Sequence, residues 1–161
     1  HIQMPMQSAF IGWKQEPDDY LERILGHDRL EKLNPIKTFR DNNIVVSFGS
    51  DAPCTTPDPI AWMDRAVNND NAGQAVSVQD ALRMCTYNGA WTAFDEQERG
   101  SLEAGKIVDM AVLSENPYTV TKDKLSGLRV ERLYLSGKSY ESCRESILPM
   151  MLRGLTSRNK A

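Results

Sequence analysis

The sequence predicts an α/β chain that gives way to a β-rich unit beyond Gly100. Three observations carry this. Ile44-Val45-Val46-Ser47-Phe48 is a β-branched, nearly continuous apolar run, the pattern of a parallel strand buried on both faces. On either side of it apolar residues recur at helical spacing. After Gly100 the pattern changes: Ile107 to Leu113 is apolar except for Asp109, and Arg129 to Leu135 partly alternates, as strands do.

Taken in order, Ile2 to Met6 reads as a short strand in which Pro5 needs an edge or terminal position, because proline has no N–H for a ladder. Between Pro17 and Asn43, Tyr20, Leu21, Ile24 and Leu25 and then Leu33, Ile36 and Phe39 predict two short helices with a break at Gly26. The Ile44–Phe48 strand stops abruptly at Gly49-Ser50-Asp51. Asp58 before Pro59 pairs an N-cap with proline at the first helical position, and Trp62, Met63, Ala66 and Val67 supply a buried stripe, so a helix is expected over 59–69. Ser77 with Asp80 is a weak capping box before Val78, Ala81, Leu82 and Cys85, and this helix is expected to be interrupted near Asn88-Gly89. Lys106 falls in a turn before a strand, and Ser136-Gly137-Lys138 turns into Ser139-Tyr140. From Glu145 onward, Ile147, Leu148, Met151, Leu152 and Leu155 share one side of a packing helix.

Composition excludes several classes of function. The chain of 161 residues carries a net charge of −3, so it presents neither a polycation for nucleic acid nor a polyanionic tail. Its 40% hydrophobic content is enough for a real core and argues against disorder. No apolar run approaches the roughly 18 residues of a membrane-spanning helix, and the N-terminal residues lack a basic-then-apolar leader pattern, so a cytoplasmic setting is expected. Cys54, Cys85 and Cys143 fit neither a disulfide framework nor a paired-thiolate zinc site and read as reduced thiols. With only His1 and His27, a zinc site built on imidazoles within this chain is not expected, since a catalytic zinc takes three protein ligands. His1, rather than methionine, opens the sequence, and a longer parent polypeptide is expected.

Asp51 is the foremost candidate for chemistry. A carboxylate at the carboxyl end of a buried parallel strand stands where open sheets and barrels assemble their sites, because strand ends and loops converge there. Its alternative role is to cap a turn or the Ala52-Pro53 loop.

Several ordered motifs together resemble the amidohydrolase-3 branch of the amidohydrolase superfamily. They are Gly49-Ser50-Asp51-Ala52-Pro53, Asp58-Pro59, Ala66-Val67, Val78 through Thr86, Asn88-Gly89-Ala90, and Gly100 through Leu113, with Gly26 to Asn34 and Pro35 also similar. The resemblance covers residues 2 to 141 and implies a C-terminal fragment: residues 1–98 as the last two βα units of a (β/α)8 barrel, 99–143 as C-terminal strands of a small β-sandwich, and 144–161 as a helical tail. It further implies a hydrolase dependent on a divalent metal, most simply Zn2+, acting on amide-type carbon–nitrogen bonds of a small molecule, with Asp51 as general base and metal neighbour or ligand. An aspartate suits the task, being ionised at neutral pH and able to take a proton from an attacking water and pass it to a leaving nitrogen.

The family's other ligands, a His-x-His pair, a mid-chain lysine or acid and two later histidines, have no counterpart here, and a whole barrel takes about 250 residues. The chain alone is therefore expected to hold no catalytic metal, to be inactive, and to self-associate through exposed barrel and sandwich edges. Gln7, Ser8 and Phe10, following the first strand, are candidates to line a substrate pocket, with loop packing as the alternative. A Cys54, His27 and Asp51 nucleophilic set is possible by residue type only, and His27 otherwise reads as a surface or capping residue. Asp109 in its apolar strand calls for a structural hydrogen bond. A second class of reading is a non-catalytic folding or assembly module that inherits the amidohydrolase scaffold.

Overall fold

The computed structural model describes residues 2–11 and 19–140, so His1, Cys143 and the expected tail helix lie outside the described residues. Strand β1 (Gln3–Met6) pairs in parallel with β2 (Val45–Phe48), Gln3 opposite Val45 and Met6 opposite Phe48. Val45 N–H donates to Ile2 O and Gly49 N–H to Met6 O, so the alternation turns Pro5 away from β2, where its missing N–H costs nothing. Val46 and Ser47 are buried, in keeping with a strand covered on both faces.

The segment between the strands contains three helices, not the expected two: α1 (Tyr20–Leu25), α2 (His27–Leu30) and α3 (Ile36–Asp41). Gly26 supplies the first break at φ +75. The second lies at Asn34, at φ +49, next to Pro35; a residue before proline is pushed out of the helical region, and asparagine tolerates the left-handed one.

Helix α4 (Pro59–Val67) starts as its cap predicts: the Asp58 carboxylate accepts from Ile60 N–H at 3.0 Å and Ala61 N–H at 3.3 Å. Ser77 caps α5 (Val78–Cys85) by accepting from Asp80 N–H at 3.0 Å, while its hydroxyl lies 2.6 Å from the Asp80 carboxylate. Helix α6 (Tyr87–Thr92) follows after a break at Thr86, and Asn88-Gly89, the expected breaker, lies inside it. Tertiary anchoring overrides the local preference here: Asn88 spends its side chain on a bond to Val46 O, and the backbone around Tyr87 is pressed against Gly100.

Beyond residue 109, β3 (Met110–Leu113), β4 (Val130–Leu135) and β5 (Lys138–Tyr140) form an antiparallel sheet in that order. Asp109 finds the structural role expected of it, accepting from Ser136 N–H at 2.8 Å and facing Arg99 Nη1 at 3.2 Å. Little of this sheet is covered: Val112, Val130, Leu135 and Tyr140 are all exposed. One hydrophobic cluster nonetheless runs through both parts of the chain, joining Ile36, Val46, Met63, Ala66, Val67, Ala81 and Met84 to Leu125 and Leu128. Leu125 belongs to the 3-10 turn Lys122–Gly127, which packs on α4 and is tied to it by Asn68 Nδ2 donating to Lys122 O at 2.9 Å.

Candidate active site

Because β1 and β2 are parallel and in register, their carboxyl ends open on the same side, and the last rung between them is Gly49 N–H to Met6 O at 3.0 Å. Gln7-Ser8 leaves one strand there and Gly49-Ser50-Asp51 the other. Asp51 is exposed and has φ +53, a left-handed conformation that aspartate adopts more readily than most residues. The turn that carries it is bonded within itself: Ala52 N–H donates to Ser50 Oγ at 3.1 Å, Cys54 N–H to Asp51 O at 2.9 Å, and Thr55 Oγ1 to Ser50 O. Trp62 Nε1 donates to Thr56 O at 3.2 Å and fastens the following loop to α4.

The candidate residues divide. Gln7, directly after β1, and Phe10, at the end of the 3-10 turn Ser8–Phe10, are both half-buried. Ser8 turns inward, buried, and donates to Trp62 O at 3.0 Å, so its hydroxyl serves packing against α4. His27 is exposed on α2 between Glu22 at 3.3 Å and Glu31 at 3.5 Å, a surface residue as expected. Cys54 is exposed next to the Asp51 turn, whereas Cys85 is half-buried with its thiol, 3.6 Å from Pro59 O, pushed up to about 12 by burial, which leaves it protonated and unreactive at neutral pH.

The metal expected of this family does not fit the described residues taken alone. Among them no three histidine, cysteine or acidic side chains gather closely enough to hold an ion, the Cys54, His27 and Asp51 combination included. Asp51 supplies one carboxylate where a catalytic ion asks for several ligands.

Sequence reasoning passed over Asn88 and Thr92. One turn apart on α6, they reach β2: Asn88 Nδ2 donates to Val46 O at 2.7 Å, and Thr92 Oγ1 is hydrogen-bonded to Ser47 Oγ at 3.1 Å. The available signal was a pair of polar residues at i and i+4 on a helix that must cover a buried strand.

Known proteins match this chain in sequence and in fold. The model of the amidohydrolase family matches residues 2–140. N-substituted formamide deformylase of Arthrobacter pascens is 34% identical over 136 residues, which are 80% of this chain and 23% of that protein. Among solved structures, a metal-dependent hydrolase from Pyrococcus furiosus superposes with a TM-score of 0.56 at 27% identity, over 65% of this chain and 21% of the other. A second, from Pyrococcus horikoshii OT3, has a TM-score of 0.60 at 23% identity, over 75% of this chain and 26% of its own, and supports the fold. The chain thus belongs to the amidohydrolase family. It spans 22–23% of the length of the curated relatives it matches. Among the described residues no helix is long and apolar enough to cross a membrane.

Proposed function

We propose that these residues form the closing segment of an amidohydrolase that cleaves amide-type carbon–nitrogen bonds of a small molecule, with Asp51 as its general base. In this reading residues 1–98 supply the last two βα units of a (β/α)8 barrel and 99–143 the last strands of a sandwich. The divalent ion, zinc by preference, is held chiefly by other polypeptide, and Gln7 and Phe10 border the substrate. The observation that carries the reading is the parallel β1–β2 pair, whose carboxyl ends lie on the same side and lead directly to Gln7 and, three residues past β2, to the exposed Asp51. A carboxylate in this place can accept a proton from an attacking water and return it to the departing nitrogen. The match to a formamide deformylase supports an N-substituted formamide as the first substrate to try.

The test is Asp51→Asn in a hydrolase of the relatives' full length that contains this segment. Asparagine also tolerates the left-handed backbone, so the change isolates the charge. We expect kcat to fall by roughly 10²–10⁴-fold with the far-ultraviolet circular dichroism spectrum unchanged. Undiminished turnover overturns the assignment and favours a folding or assembly role for the segment.

A further inference from the structure

Strand β2 is bonded through its backbone to β1 and through two side chains to α6. On one edge its backbone bonds to β1, through Val45 N–H at 3.1 Å from Ile2 O and Gly49 N–H at 3.0 Å from Met6 O. In a parallel ladder the intervening residues point their backbone groups the other way, and among the described residues the Val46 carbonyl there meets a side chain of α6. Asn88 Nδ2 lies 2.7 Å from Val46 O. Thr92 Oγ1 lies 2.8 Å from Asn88 O and 3.1 Å from Ser47 Oγ; its single proton goes to the carbonyl, which leaves Ser47 to donate to Thr92. Val46 and Ser47 are 1% and 4% exposed, so no water replaces these partners if they are lost.

Helix α6 is itself closely packed against the loop that follows it. A Cβ at Gly100 would lie 2.6 Å from Ala90 Cβ and 3.1 Å from Tyr87 Cα, which shows how closely the following loop seats against the helix. Lys106 closes that loop, 2.6 Å from Ser101 Oγ and 3.3 Å from Glu103 Oε1, and its ammonium lies over the Tyr87 ring at 5.6 Å. At the other end of β2, the turn bearing Asp51 is cross-linked within itself and begins directly after the strand, so it takes its place from the strand.

We propose that Asn88 and Thr92 are positioning residues for Asp51: from α6 they fix the lie of β2 and thereby the point at which its terminal turn presents the carboxylate. This builds on the assignment of Asp51 as base, although neither residue touches it. Misplacing a reacting group by about 1 Å costs on the order of 100-fold in rate.

The test uses Asn88→Ala, Thr92→Val and Thr92→Ser. In the full-length hydrolase we expect Asn88→Ala and Thr92→Val to lower kcat by roughly 10–100-fold with KM changed by less than about threefold, and Thr92→Ser, which keeps the hydroxyl, to restore kcat. Asp109→Ala, which loosens the chain elsewhere, is expected to lower the melting temperature and leave kcat in place. In the 161-residue chain, hydrogen exchange of the Gly49 amide should quicken in Asn88→Ala and Thr92→Val and return toward the parent rate in Thr92→Ser. Equal falls in melting temperature among all variants with kcat intact overturn the proposal, as does a loss of kcat with Gly49 exchange unchanged. If Asp51→Asn retains full turnover, the base assignment fails while Gly49 exchange still decides whether α6 sets the strand. If Asp51→Asn is inactive and Asn88→Ala keeps its kcat, positioning fails and the base stands.

Discussion

The carboxylate of Asp109 joins two segments that are distant in sequence: Arg99 Nη1 stands 3.2 Å from one oxygen, and Ser136 N–H donates to the other at 2.8 Å. The second bond pins the tight turn between β4 and β5 to the start of β3, and Gly137 N–H to Val108 O at 2.9 Å reinforces it. Asp109→Ala removes the acceptor from a backbone donor and a partner from a half-exposed arginine. The expected cost is about 1–2 kcal/mol, read as a lower urea midpoint with an unchanged slope.

Gly100 and Gly89 should respond to alanine in opposite directions. At Gly100, with φ +89, a methyl group meets Ala90 Cβ and the Tyr87 backbone, which cannot retreat without moving α6. Gly100→Ala is expected to cost about 2 kcal/mol or more. Gly89 lies within α6 with nothing inside 4 Å of an added Cβ, so Gly89→Ala should stabilise by about 0.5–1 kcal/mol. Thermal melts of the two variants side by side check both signs.

These two glycines show what the sequence does and does not disclose. The caps at Asp58 and Ser77, the parallel character of Ile44–Phe48 and the need of Asp109 for a partner are local facts, written in residue type and spacing, and each is found in the structure. The break at Thr86 was not readable, because it depends on Gly100 pressing on Tyr87 and on Asn88 reaching Val46, contacts between residues 13 and 42 positions apart. Three helices in place of two follow from Asn34 taking the left-handed region, a choice that asparagine permits and does not require. Asp51 stands out in the sequence as a candidate because it follows the carboxyl end of a buried strand and lies in the Gly49–Pro53 motif that carries the family resemblance. The bonds from α6 to Val46 and Ser47 join residues 42 and 45 positions apart and leave no local trace in the sequence.

Cys85 makes stability depend on alkaline pH. Its folded pKa, about 12 through burial, lies above the ordinary thiol value of 9.0 that the unfolded chain should show. The unfolded state therefore releases a proton first as pH rises. The stabilisation is whole below about pH 9 and is lost between about 9 and 12, with a slope approaching 1.4 kcal/mol per pH unit. Urea midpoints of the parent and Cys85→Ala, compared from about pH 8 to about pH 10.5, should converge as pH rises. A gap between the two that is constant with pH contradicts the burial of this thiol.

The sheet of β3, β4 and β5 exposes Val112, Val130, Leu135 and Tyr140, and apolar strand surface of this kind favours association. The 161-residue chain is expected to show a mass in light scattering that grows with concentration. Val130→Lys together with Leu135→Lys should shift it toward the monomer. A monodisperse monomer at all concentrations contradicts this expectation.

Leu125 and Leu128 sit in the same apolar cluster as Met63 and Val67, although they follow the point where helical patterning yields to strands. The β-rich portion is therefore no interchangeable cassette. A chimera that borrows residues 99–140 from another amidohydrolase must also import a matching outer surface for α4, or the graft will leave Met63 and Val67 wet and the recipient unable to fold.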